Sequence, residues 1–573
     1  MITFGAMDIA SRLEQFRTLE TKPRIEPKKV TPIYTADLET DPFAHNQMIA
    51  PFAAGFYDGQ DFSLYWGQDC VKRFFAYLET KEPGLVYIHN FGGFDFFWML
   101  PYFTGQTLIR NGRIICTTCK AKGGKYHELR DSYAIMPFAL KEYHDSSGKK
   151  VKLDIDMWKL KKKNREKYKT QIVRYLKRDC TGLHELVMRF IDRFGDKITI
   201  GSTAMSELQA IHDYIKMEDA KEDHEIRSQF YYGGRVQCFD AGNLKGNWKV
   251  YDVNSMYPYV MKTYRHPICR LTSVTQKITK DTAFIVTEGQ NFNAFPVRDH
   301  DGSLRFDEPY GIFSVTIHEW NVALKYGLFK PKRVLYAYNF KLQRSFDTFV
   351  DRFYSLRKKA KEENDSAMSL FYKYVLNSSY GKFAQDGSDY FDYQITPETE
   401  DLRTKEPCGQ CAIGECAEHW MIDTLYPEFK LILWKRGNPK PAFYNVATGC
   451  SITGAARSVL LEAYANSKRP IYCDTDSLIC ESLKNVTFHK SELGAWDLEA
   501  QGDLACIAGK KMYALFNGRE VVKQANKGCR ITAAQIKYLA GDPAREIEYE
   551  RESPSLSIHG EYSFLSRTVR RTA

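Results

Sequence analysis

Apolar positions recur along this chain with two periods, and the switches between them outline its elements. VTPIYTADLET reads as a buried strand carrying acids at its end, and VYIH (86–89) as another buried strand. A helix is predicted through FDFFWMLPYF, a hairpin over RIICTTCKAKGGKYHELRDS, and a long helix over TQIVRYLKRDCTGLHELVMRFIDRFG. The first 30 residues read as a short amphipathic helix and a Pro-broken lead, so one α/β unit ends near residue 225. A second unit opens at FYYGGR. There WKVYDVNSMY predicts a strand and a turn, and residues 266–340 carry short strands punctuated by Gly and Pro. SFDTFVDRFYSLRKKAKEE and AMSLFYKYVLNSSY follow as an αα-hairpin, with Gly381 expected to stop the second helix. After a loop-rich stretch to about 440, ARSVLLEAYANS gives a helix, and PIYCDTDSLICES gives two short strands meeting at an acidic tip.

With 573 residues the chain has room for several compact units, and 43% hydrophobic with 27% charged residues excludes a disordered or collagen-like protein. No stretch reaches the ~18 apolar residues of a membrane helix, and the start lacks a signal-peptide core, so a cytoplasmic protein is expected. Fourteen cysteines are too dilute for a disulfide scaffold. A net charge of +10 is modest, but the basic residues cluster: KLKKKNREKYK at Lys159–Lys169, RKKAK at Arg357–Lys361, and a closing RTVRR. Interleaved with Tyr and Phe, such runs favour a polyanionic partner, because phosphates attract cations and unstacked bases take aromatic faces.

Acid pairs need context, since 71 acids in 573 positions give about nine acid-x-acid pairs by chance. In PIYCDTDSLIC the flanks are apolar, so Asp474 and Asp476, two apart on a strand, would share a face beside a core. Paired carboxylates repel unless cations join them, and Mg²⁺ does so while leaving sites for phosphate oxygens. Asp252 ends another apolar strand and supplies a third acid. Tyr257 and Pro258 would fix a turn nearby, where the ring could act as a wall against a ribose 2′-hydroxyl. Lys373, Asn377 and Tyr380 stand at i, i+4 and i+7 on one helix face, suited to a triphosphate and a base, with Arg357 on the facing helix.

DVNSMYP, KYVLNSSYG and YCDTDS, in that order, resemble the three polymerase motifs of family B DNA polymerases. YYGG at Tyr231–Gly234 and KMY at Lys511–Tyr513 resemble elements of the protein-primed branch. Segments such as GGRVQCFDAG, ITGAARSVLL and ELGAWDLEA look most like the tectivirus polymerases. The resemblance covers nearly the whole chain.

It implies an α/β and α+β multidomain fold: an N-terminal ribonuclease-H-like 3′–5′ exonuclease joined to a right-hand polymerase of palm, fingers and thumb. The implied divisions are 1–225 exonuclease, 226–265 and 441–530 palm, 266–340 a first insertion docking a terminal protein, 341–385 fingers, 386–440 a second insertion for strand displacement, and 531–573 thumb. Asp37 and Glu39 in ADLET, Asp95 in HNFGGFD, and Tyr175 with Asp179 in YLKRD match the exonuclease motifs, with two metal ions activating water and Tyr175 placing it. Lys159 resembles a lysine that assists this hydrolysis. Thr40, Asn90 and Phe94 fall where relatives hold the last bases, Ser132 resembles a single-strand contact, and Tyr231, Gly233 and Gly234 would guide DNA. In the palm, Asp252, Val253 and Asp476 would hold two Mg²⁺, which Mn²⁺ can replace, with Asp474 in support. Lys511 and Tyr513 would steady the primer terminus.

Implied partners are template and primer DNA, dNTPs and a terminal protein, for a monomer in the host cytoplasm. Cys408, Cys411, Cys416 and His419 have ligand types compatible with zinc, but a Gly-rich reduced loop is the favoured reading and no zinc is expected. Cys116 and Cys119 read as core or hairpin residues. Two other functions compete with the protein-primed reading: a primer-independent polymerase of the same family, and a nuclease or DNA-binding replication factor whose polymerase half is inert.

Overall fold

Two β-sheets, each carrying an acid-bearing strand flanked on both sides by others, organise the chain. The computed structural model describes residues 31–572 apart from 42–48, 111–112, 145–147, 149, 151, 214–219, 386–390, 398–420, 427–429, 437–443, 527–530 and 557–561. The helix expected in the first 30 residues and the Cys408 to His419 cluster lie outside the described residues.

The first sheet is built on β1 (Ile33–Thr40), β2 (Pro51–Tyr57), β3 (Phe62–Trp66), β4 (Leu85–Ile88), β5 (Phe103–Arg110), β6 (Arg113–Lys120) and β7 (Tyr126–Asp131). β1 pairs parallel with β4 and antiparallel with β2, so the acid strand is central and its neighbours are apolar. Helix α1 (Cys70–Leu78) covers one face with Val71, Phe74, Phe75 and Leu78. The 26-residue α2 (Lys169–Phe194) covers the other. The helix expected through FDFFWMLPYF shrinks to Phe96–Met99 between 3₁₀ turns, because Pro101 lacks the N–H that a continuing helix needs.

Strands Phe391–Pro397, Met421–Tyr426 and Lys430–Arg436 extend this sheet to ten, Tyr393 to Ile395 pairing antiparallel with β5. Within 386–440, read as loop-rich and as a second insertion, 421–426 pairs antiparallel with 430–436, and attachment of this segment to the N-terminal sheet was not anticipated.

α3 (Ile200–Gln209) and the helix Ala220–Phe230 lead to the second sheet, so a division drawn at 225 falls inside a helix. The seven-stranded sheet contains β8 (Val236–Cys238) and the long β9 (Gly242–Val253), with the 472–480 hairpin on one side and strands Trp496–Gly509, Met512–Asn517 and Glu520–Asn526 on the other. α4 (Met256–Thr263) follows β9. Residues 266–340 form a four-stranded antiparallel sheet carrying α5 (Ile317–Lys325), whose Thr316 and Glu319 make a capping box. α6 (Asp347–Glu362) and α7 (Ser366–Phe383) are the expected αα-hairpin. Gly381 does not stop α7, which runs on to Phe383, where the buried phenyl ring packs on Phe346. α8 (Val446–Ala465) is buried along most of its length beneath the palm-side sheet. One apolar core joins the halves: Phe190 and Phe194 of α2 pack edge-on against Phe371 and Tyr372 of α7. Among the described residues no helix is long and apolar enough to cross a membrane.

Candidate active sites

Period-two geometry points Asp37 and Glu39 from the same face of β1 toward α2. Gly55 lies opposite Asp37 on β2, and a Cβ there would come within 2.9 Å of Leu176 and 3.0 Å of Cys180. Its absence lets α2 lie close, fixed by Thr35 Oγ1 donating to the Cys180 carbonyl at 2.8 Å. Tyr175 and Asp179, one turn apart on α2, are thereby aimed at β1. Among the described residues, carboxylate oxygens of Asp37, Glu39 and Asp179 lie within 4.8 Å of one another. Asp95 is 4% exposed and close enough to Asp37 for their charges to interact. Burial pushes all four carboxyls above their ordinary range; repulsion from neighbouring acids adds to it for Asp37, Glu39 and Asp95, whereas at Asp179 the Lys152 ammonium opposes it. Four crowded, desolvated oxyanion donors are the chemistry of a divalent-cation site, so the residues present fit Mg²⁺.

The cation found in this cluster is Lys152. Its Nζ donates to Asp179 Oδ2 at 2.7 Å and sits 4.9 Å from the Tyr175 ring centroid, and the surrounding anions raise its pKa although burial opposes that. Lys159, the expected lysine, instead reaches the side-chain oxygen of Gln171 on the surface, 2.9 Å away. The 3₁₀ turn Met157–Leu160 carries it outward, whereas a bend in the irregular backbone before it places Lys152 against Asp179 and Tyr175 of α2. Thr40 ends β1 at a register shift. Asn90 takes a left-handed conformation (φ 63°), and its side-chain oxygen accepts from Arg113 at 2.8 Å. Phe94 stands edge-on to Trp98. Ser132, expected to touch single-stranded DNA, is fully buried and bonded to His89 at 3.0 Å; the half-exposed neighbour Tyr133, under the Arg113 guanidinium, is the one with surface to offer.

In the second sheet Asp252 pairs with Ser477 across β9 and the 472–480 hairpin, which brings Asp476 beside it. Asp474 and Asp476 do not share a strand. Asp474 closes one strand against Ser477, while Thr475 (φ 58°) and Asp476 form the two-residue turn between them. The turn separates their roles. Asp474 accepts from Tyr472 (3.2 Å), Thr475 (3.0 Å) and the Lys511 ammonium, so it is committed to holding the turn. Asp252 and Asp476 remain as the open pair. Burial raises both carboxyls, and repulsion from neighbouring acids adds to it, reaching about 7 for Asp252 and about 6 for Asp476. The nearby cations are engaged, Lys523 with Glu499 and Lys511 with Asp474, so this donor pair also fits Mg²⁺. Val253 has a buried side chain and offers only its backbone; its N–H donates to the Asp476 carbonyl at 2.9 Å. Tyr513 is 5% exposed and packs 5.0 Å from the Tyr472 ring.

The helical hairpin α6–α7 lines the approach. Arg357, with Nε buried and lacking a hydrogen-bond partner, opens on a cavity of about 660 Å³ also lined by Tyr354, Lys358 and Lys361. Lys361 was missed in the sequence. Burial, Arg357 and Lys373 together lower its pKa, which shows three cations converging from two helices. Asn377 is exposed on α7, and Tyr380 stacks on Tyr257 of α4. Gly233 and Gly234 sit beside the Asp474–Asp476 turn: a Cβ on Gly234 would come within 3.0 Å of Thr475 Cγ2. The Tyr231 carbonyl accepts from Arg298 at 2.7 Å.

This arrangement, with one carboxylate cluster in an N-terminal α/β domain and a second at a hairpin tip facing a helical hairpin, is that of a polymerase with an attached exonuclease-type domain. The family described as DNA polymerase type B, organellar and viral, matches residues 141–490, and the chain belongs to that family. It is 41% identical to the DNA-directed DNA polymerase of Enterobacteria phage PRD1 over 96% of this chain and all of that one. It is also 24% identical to the DNA polymerase of Bacillus phage PZA, covering 84% of this chain and 86% of the relative. Among solved structures, Phi29 DNA polymerase with primer-template DNA and incoming nucleotide matches with a TM-score of 0.70 at 17% identity, covering 94% of this chain and 99% of that one. The fold is therefore that of an exonuclease domain joined to palm, fingers and thumb.

Proposed function

We propose that this DNA polymerase starts chains on a terminal protein, extends them with displacement of the downstream strand, and removes mismatched 3′ nucleotides at its N-terminal site. The observation that carries the reading is the pair of separate buried carboxylate clusters, one on β1 with α2 and one at β9 with the 472–480 hairpin. Its partners are then template and primer DNA, dNTPs and the priming protein, in the host cytoplasm.

In synthesis, Asp252 and Asp476 hold the cations, and Asp474, pinned by Lys511 and Tyr472, keeps the turn in place. Bound Mg²⁺ lowers the cost of charge on the attacking 3′ oxygen and the departing pyrophosphate. Arg357, Lys361 and Lys373 balance the triphosphate charge. Tyr257 and Tyr380 frame the nucleotide sugar and base. At the other site, Asp37, Glu39, Asp95 and Asp179 are the donors, Lys152 offsets their charge, and Tyr175 orients water toward the terminal phosphodiester. Strand displacement is supported by strands 391–397 and 421–436, which continue the N-terminal sheet and tie the second insertion to the exonuclease domain.

Incubating the protein with labelled dNTP, with and without the terminal protein, on linear DNA ends and on primed circles tests the reading. Incorporation on primed circles together with terminal-protein-dependent labelling of linear ends is expected. Labelling of linear DNA without that protein would favour a primer-independent enzyme.

A further inference from the structure

The first insertion is fastened to the palm by a fully buried ion pair whose reach extends to the catalytic turn. Arg457 of α8 and Glu319 of α5 are 2% and 1% exposed, and two bonds join them, Nε to Oε1 at 2.7 Å and Nη2 to Oε2 at 3.0 Å. Glu319 Oε2 also accepts from the Thr316 amide (3.1 Å) and hydroxyl (2.8 Å), so the capping box of α5 fixes where the carboxylate stands. Gly454, one turn before Arg457, leaves the room: a Cβ there would lie 2.2 Å from Thr316 Cγ2.

The remaining guanidinium nitrogen of Arg457 points elsewhere. Nη1 donates to the carbonyls of Tyr232 at 2.7 Å and Gly233 at 2.9 Å. Two residues on, the Arg235 carbonyl accepts from the Thr475 amide at 2.7 Å, and Val236 pairs with Asp474. A continuous run of bonds therefore leads from the insertion helix, through Arg457, along the YYGG loop, to the turn that carries Asp476. Apolar packing of similar volume would hold α5 on α8 without the desolvation cost of a buried charge pair. What it could not supply is the fork that grips Glu319 on one side and two backbone carbonyls on the other.

We propose that Glu319 is a positioning residue for the primer strand: by orienting Arg457 it fixes the carbonyls of Tyr232 and Gly233, and so the seat of the YYGG loop beside the catalytic turn. The proposal rests on reading that loop as a guide for primer DNA. Removing the charge on Glu319 frees the guanidinium, lets the loop drift, and weakens the grip on the primer while leaving the carboxylates that perform the transfer in place.

The test compares single-nucleotide addition by full-length Glu319→Gln and Gly233→Asp proteins across primer-template concentrations. Gly233 has open space around its Cβ position, so the aspartate is accommodated and repels phosphate directly. Glu319→Gln is expected to raise the KM for primer-template about tenfold, the worth of a charge-assisted bond, with kcat at saturating DNA within about twofold. Trimming of single-stranded DNA should not change. A raised KM in Gly233→Asp with an unchanged one in Glu319→Gln overturns the proposal and leaves the loop reading standing. No change in either overturns both. Loss of kcat at unaltered KM in Glu319→Gln also overturns it. Should Glu319→Gln fail to fold by circular dichroism, Arg457→Lys takes its place, keeping a charge beside Glu319 and losing the carbonyl bonds; the same rise in KM is expected, and an unchanged KM overturns the proposal.

Discussion

The rings of Tyr257 and Tyr380 lie face to face, with centroids 3.8 Å apart and planes within 5° of parallel. One comes from α4, just past Asp252, and the other from α7, so the stack bridges palm and fingers beside the open carboxylate pair. Tyr257→Val empties half of it. Ribonucleotide use relative to deoxynucleotide use is expected to rise by roughly one to two orders of magnitude, because the ring proposed to frame the sugar is removed while Asp252 and Asp476 stay. Competition between the two nucleotides at a defined template position measures this, and an unchanged ratio would show that the ring serves packing alone.

Asp252→Asn and Asp476→Asn each remove a charge from the palm pair and nothing from the β1 cluster. Incorporation should fall by at least about a thousandfold, in line with loss of metal-assisted charge stabilisation, while 3′ trimming persists. Neither should destabilise the fold, since burial and repulsion already raise both carboxyls toward neutrality. Near-normal incorporation in either variant would remove these residues from the site.

Lys152 and Lys159 separate cleanly by experiment. Lys152→Ala leaves Asp179 without its bonded ammonium among three other acids, and 3′ trimming should drop about a hundredfold. Lys159→Ala loses a surface bond to Gln171 and a contact with the Tyr168 ring, both away from the carboxylates, and its trimming rate should stay within about twofold. The reverse order of effects would return the role to Lys159.

His266 and His318 meet at the Ser451 hydroxyl, with ring nitrogens 2.9 and 3.1 Å from Oγ. Burial lowers both, to about 3 for His266 and about 4 for His318, and the His318 ring lowers His266 further. A base with a folded-state pKa below its unfolded value of about 6.5 contributes stability that is complete above that value and lost as pH falls toward the folded pKa. For His318 the loss amounts to about 3 kcal/mol by pH 4. The buried carboxyls, raised in the fold, act in the opposite direction, so the contrast with His318→Gln isolates the effect. Urea unfolding at pH 7.5 and 5 should show the variant losing less stability than the parent, and equal losses would refute it.

Deleting Cys408 to His419 should shorten products on primed circles and impair displacement more than it impairs addition of a single nucleotide. Equal loss of all three would mean a structural role. Zinc bound at about one equivalent per chain, with folding that depends on it, would reverse the reading of that cluster as a reduced loop.

Period and punctuation made much of this architecture readable. Asp37 with Glu39, and Asp252, end apolar strands, and Tyr175 with Asp179 are a helical turn apart, so local geometry alone pairs them. Lys152 was not readable because it lies at a bend in irregular chain with no period, 27 positions from the Asp179 it neutralises. Lys361 stood in plain view within a basic run, but only the packing of α6 on α7 distinguishes it from its solvated neighbours. Asp474 and Asp476 were assigned a common face because nothing in CDTDS announces the positive φ of Thr475, which turns the chain between them. Attachment of the strand Phe391–Pro397 to β5 was equally hidden, since an antiparallel edge accepts any strand with suitable register.

That attachment makes the two halves of the molecule interdependent. Residues separated in sequence by an entire palm segment and both finger helices complete the sheet on which Asp37 and Glu39 sit. Cutting the chain near residue 225 would therefore not release a proofreading unit; it would strip three strands from one fragment and expose β5 as a bare edge, an invitation to aggregate. Chimaeras between relatives should exchange 391–436 together with the N-terminal domain, so that both sides of the β5 seam come from the same parent.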